Sequence, residues 1–90
     1  MEYLTHSSKI ENKQQLKSEM IVSHLIKGLI ITGDDCYKSN VFSELKLQHS
    51  IDLCDKAIKV ASDLGYCVSF GQHRACVFAT IKPTIIAYNM

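Results

Sequence analysis

The hydrophobic period changes once along this chain, at Gly65, and no other feature restricts the fold as tightly. Before Gly65, Val22, Leu25, Ile26, Leu29 and Ile30 recur at i, i+3, i+4, i+7 and i+8, with Ile21 beside them. That spacing lays one wide apolar stripe along a helix. After Gly65, Tyr66, Val68 and Phe70 alternate with Cys67 and Ser69, and Ala75, Val77, Ala79 and Ile81 alternate with Cys76, Phe78 and Thr80. A period of two belongs to strands with one buried face. Ninety residues hold one small domain. The fold class expected is α+β, with two to three helices followed by a C-terminal β-hairpin. The alternative is an all-α fold with an irregular tail.

The segment boundaries follow from capping and turn chemistry. Ser8-Lys9-Ile10-Glu11 has the form of a capping box, in which hydroxyl and carboxylate each bond the other residue's backbone N–H. This places a flexible N-terminus at residues 1–8 and starts the first helix at Lys9. Leu16 and Met20 extend the stripe backward, and Gly33 is suited to the left-handed position that ends the helix at Thr32. Gly33-Asp34-Asp35 is a turn. Asn40 is a candidate cap for a short second helix from Val41 to Gln48, although residues 41–47 also fit a strand. Ser50 caps a third helix with Leu53, Cys54, Ala57, Ile58, Ala61 and Leu64 on its apolar face. The helical part thus covers 9–64. The hairpin covers 66–81, turning through Gly71 to Arg74, which sets Phe70 opposite Ala75, Val68 opposite Val77 and Tyr66 opposite Ala79. Residues 82–90 form a tail containing the apolar run Ile85-Ile86-Ala87-Tyr88.

Charge separates the same two parts. All nine acids lie in residues 1–65 with eight lysines, giving −1, while residues 66–90 hold only Arg74 and Lys82, giving +2. The total of +1 supplies no strong field for nucleic acid. Lys9, Lys13 and Lys17 recur every four residues as a basic stripe, but Glu11 and Glu19 interrupt it, and a solvated helix face accounts for it. The N-terminus has neither a basic region nor an apolar run of signal-peptide type, and the stretch from Met20 to Ile31 is too short and too interrupted for a bilayer. The expectation is a cytoplasmic protein with no membrane partner, whose cysteines stay reduced.

No residue constellation announces a reaction, a cofactor or a metal. Cys36, Cys54, Cys67 and Cys76 contain no Cys-x-x-Cys, and His6, His24, His49 and His73 form no i, i+4 pair. Cys67, His73 and Cys76 around one hairpin amount to three ligands at most. Small buried thiols and surface imidazoles are the expected reading. Cys36 is the one thiol placed in a turn before a helix, and nothing sets a base beside it. Asp34-Asp35 lacks further acids at calcium-loop spacing. His24, on the edge of the apolar stripe, is expected in a core or an interface.

Between Glu19 and Leu45 the order is an apolar-periodic helix, Thr32-Gly33-Asp34, Cys36, the polar Lys38-Ser39-Asn40, then Val41-Phe42-x-x-Leu45. This resembles the core of the YmgB/AriR family, small helical bacterial two-component-system connectors associated with biofilm and acid-response regulation. The resemblance implies helices that pair two chains into a dimer. Lys46-Leu47-Gln48-His49 stands where that family places a glutamate, and residues 66–90 lie outside its pattern. The functional expectation is a non-enzymatic regulatory protein that acts by protein–protein interaction as a homodimer, through Val22, Leu25, Ile26, Leu29 and Ile30. A phage- or plasmid-type inhibitor of a host defence or transcription complex is the alternative.

Overall fold

The computed structural model describes residues 2–84, with side chains from Lys13 onward. Its elements run α1 (Glu2–Thr32), β1 (Tyr37–Ser39), α2 (Val41–Glu44), α3 (Ile51–Asp63), β2 (Tyr66–His73) and β3 (Cys76–Pro83). The three strands form one antiparallel sheet in the order β1-β3-β2. Helices α1 and α3 pack on each other and on one face of that sheet. The class is α+β, as the change of period required. Ile85-Ile86-Ala87-Tyr88 lies outside the described residues.

Helix α1 is the long axis of the molecule. Its 31 residues span about 46 Å, against a greatest overall extent of 51 Å. It begins at Glu2, so Ser8–Glu11 lies inside the helix and does not start it. Gly33 ends it as expected, at φ 71° with its N–H on the Leu29 carbonyl at 3.0 Å. Ile21, Val22, Leu25 and Leu29 are buried along one side, together with Leu53, Cys54, Ala57 and Ala61 of α3 and Val68, Ala79 and Ile81 of the sheet. Ser50 caps α3 as its sequence implies, accepting a bond from the Leu53 N–H at 3.1 Å.

Two short elements depart from the sequence reading. Helix α2 stops at Glu44 instead of Gln48. Lys46 takes the left-handed conformation (φ 57°), its N–H bonds the Ser43 carbonyl, and the Leu47 N–H reaches back to Phe42 O at 2.8 Å. That is a Schellman ending with lysine where glycine is usual. It returns Leu47 to the core. Asn40 sits at the N-cap position but makes no side-chain capping bond. The second departure is β1, a third strand that the alternation did not announce, because three residues are too few to show a period.

The pairing of β2 with β3 differs in register from the one expected. Phe70 faces Ala79, Val68 faces Ile81 and Tyr66 faces Pro83. The turn is Arg74-Ala75, closed by the pair His73 and Cys76, with Arg74 at φ 58°. Both registers close on a two-residue turn; in the structure it is Arg74 that supplies the positive φ which such turns need. The displacement is four residues, an even number, so each side chain keeps its face. Tyr66, Val68, Phe70, Val77, Ala79 and Ile81 therefore still point at the helices. On the solvent face, the Lys38 ammonium lies 4.9 Å from the centre of the Phe78 ring.

Gly28 explains how β1 reaches α1. A Cβ at this position would overlap the Tyr37 ring, which lies directly on the helix backbone. An open helix gains about 1 kcal/mol from Gly→Ala. Here the same change is expected to destabilise, because ring and backbone must separate. In a Tyr37→Ala background, Gly28→Ala should recover the ordinary gain. Denaturant unfolding of the four proteins checks this, and a stabilising Gly28→Ala in the native background would refute the contact.

Candidate functional site: the outer face of the first helix

The five residues expected to meet a partner divide between two environments. Val22, Leu25 and Leu29 are buried in the chain's own core and are unavailable to another protein. The reason is the sheet and α3, which need that side of α1 to bury their own apolar faces. Ile26 is half-buried, and Ile30 stays 70% exposed. The stripe therefore serves mainly the core, and only its Ile26–Ile30 edge reaches the surface.

The opposite side of α1 carries a second apolar set that the dominant stripe obscured. Leu16 and Met20, expected to extend the core stripe backward, are instead exposed here with Ile30 and Ile31, and Leu64 at the end of α3 joins them. The spacing of Leu16, Met20 and Ile30 fits one helix face, a signal present in the sequence. Glu19, Ser23 and Lys27 form a ridge at i, i+4, i+8 along this face. On one side of the ridge a groove of about 370 Å³ is lined by Ile26, Ile30, Ile31, Val60 and Leu64. On the other side a groove of about 410 Å³ is lined by Leu16, Met20, His24 and Leu45. Of the basic stripe, Lys13 is exposed and Lys17 is half-buried, while the Lys9 side chain lies outside those described.

His24 borders this face and ties it to the rest of the fold. Its Nε2 lies 2.6 Å from Glu44 Oε1, and the buried Ser39 hydroxyl donates to the same oxygen at 2.9 Å. An ionised carboxylate only accepts, so His24 carries its proton on Nε2. The His24 bond, then the Ser39 bond, hold the Glu44 carboxyl below its ordinary range, and slight desolvation opposes them. The three residue types are those of a hydrolytic triad, but the order is wrong for one. The carboxylate stands in the centre, and the hydroxyl bonds to it instead of to the imidazole. What the arrangement does is join α1, β1 and α2 at one atom.

The cysteines do not share one environment. Cys54 is buried, and desolvation, aided by the Asp55 charge, pushes its thiol pKa up. Cys36, Cys67 and Cys76 are exposed free thiols, which corrects the expectation of small buried ones. Among the described residues no three His, Cys, Asp or Glu side chains come together at metal-binding distance. None of the described helices is long and apolar enough to cross a membrane. The chain matches no family model, no curated protein and no solved structure.

Because the folded-state pKa of Glu44 is depressed, its bonds stabilise the fold above the unfolded-state pKa and are lost as pH falls through the folded value. Glu44→Gln should lower the unfolding midpoint at neutral pH. The gap to the native chain should close in acid below the carboxylate range. Paired thermal melts at the two pH values check this; a gap that stays constant would count against the tie.

Proposed function

We propose that this chain is a small non-enzymatic regulatory protein that works by docking on another protein, through the outer face of α1. The observation that carries the reading is the contiguous patch of Ile30 (70% exposed), Ile31 (75%) and Leu64 (60%) around one groove. Single exposed aliphatics are ordinary on protein surfaces, whereas a contiguous apolar patch beside a groove is a mark of binding. The patch stands on α1 and α3, whose other sides are locked into the core, so it is held rigid before any partner arrives. A shallow apolar channel alongside a helix suits an amphipathic helix, which would lay its apolar edge between the two elements.

The Ser39–Glu44–His24 cluster fits the same reading, since its hydroxyl is buried and is spent, with His24, on holding one carboxylate oxygen between three elements. Ile31→Asp and Leu64→Asp should leave the fold intact, because both side chains already face water. Quantitative capture from the native host with the wild-type and both variants is the test. Proteins retained by the wild-type chain and lost from both folded variants are the expected result. An unchanged set of retained proteins would contradict the reading.

A further inference from the structure

We propose that the occupant of this face is a second copy of the chain, with the two α1 helices packed antiparallel about a two-fold axis at Ser23. The proposal rests on the docking role assigned to the outer face of α1, and it names the partner. Where two helices cross at a residue, the contacts come from that residue and from positions three, four and seven away on each side. Around Ser23 those positions are Leu16, Glu19, Met20, Ile26, Lys27 and Ile30. The centre is small, which lets the helix axes approach closely. The positions at three and seven on both sides are all apolar. Leu16, Met20 and Ile30 among them are exposed, and Ile26 is half-buried.

The charges decide the direction. Glu19 and Lys27 stand four residues before and four residues after Ser23. An antiparallel two-fold brings each residue before the centre against the residue equally far beyond it on the other chain. Glu19 then meets Lys27 of the second copy, twice over. A parallel crossing would set Glu19 against Glu19 and Lys27 against Lys27. Within one chain, among the described residues, neither side chain makes an ion pair. The Gln15 amide donates to the Glu19 carboxylate at 2.9 Å and holds it on this face. The two grooves beside the Glu19–Ser23–Lys27 ridge complete the fit. Because the two-fold axis is perpendicular to the helices, each groove of one copy faces the same groove of the other.

Sedimentation velocity over a concentration series tests this with the full chain. The wild-type protein should dimerise. Glu19→Lys and Lys27→Glu should each weaken self-association by about tenfold or more, since both cross-pairs become like-charged. An equimolar mixture of the two variants should form a heterodimer, and the double reversal in one chain should again self-associate. Circular dichroism confirms that the variants fold. As a second measurement, Ser23→Cys should oxidise to a dimer linked at position 23, located by peptide mapping. A wild-type chain that remains monomeric throughout overturns the proposal. So does a dimer indifferent to both reversals, or a mixture of reversals that stays monomeric. A monomeric wild type whose Ile31→Asp and Leu64→Asp variants still lose a retained protein would overturn the second copy alone and leave the docking role standing.

Discussion

The buried side of α1 is the constraint on which the other elements depend. Ile21, Val22, Leu25 and Leu29 form a continuous apolar edge that both α3 and the sheet cover. Fully burying one such side chain contributes about 1.5–3 kcal/mol, and removing a buried Leu to Ala typically costs about 2–5 kcal/mol. An exposed ion pair contributes about 0–1 kcal/mol. The core therefore sets where α1 lies, and the partly exposed His24–Glu44 contact refines the position of α2 afterwards. The sheet supplies only one covered face, and a three-stranded sheet needs that cover to persist. Once α1 and α3 share it, the far side of α1 is left exposed among the described residues.

The short elements are held by local contacts instead of by propensity. β1 has three residues and α2 has four, too few for either to stand alone. Tyr37 of β1 lies on Gly28 of α1, and Ser39 of β1 bonds Glu44 of α2, which in turn bonds His24 of α1. This closes a circuit through three elements around a single carboxylate oxygen. The left-handed Lys46 then turns the chain back so that Leu47 packs on the core and α3 starts at Ile51. The circuit borders the Leu16–Met20 groove, so it also fixes one wall of the candidate interaction surface.

Much of the fold was legible in the sequence because it follows from period and capping. The stripe on α1, Gly33 at its end, the Ser50 cap and the alternation after Gly65 all reflect local physics acting on neighbouring residues. The even displacement of the β2–β3 register left the faces of Tyr66, Val68 and Phe70 unchanged. What was not legible depends on distant partners. Gly28 looks like a weak point in a helix until Tyr37 is seen on it. His24, Ser39 and Glu44 have no characteristic spacing, and only the fold brings them together. The candidate surface was half legible: the strongest stripe has the pattern of an interface but forms the core, while Leu16, Met20 and Ile30 have the spacing of a second face. In a small chain the stronger of two apolar faces goes to its own core first, since folding must bury it before any partner can be bound.

In the proposed arrangement, α1 has two apolar sides with different tasks, one for its own core and one for another chain. An aspartate scan along α1, read as the unfolding midpoint at low protein concentration, tests it most directly. Large losses are expected at Ile21, Val22, Leu25 and Leu29, and little change at Met20, Ser23, Lys27 and Ile30. Comparable losses on both sides, or tolerance of aspartate at Leu25, would contradict it.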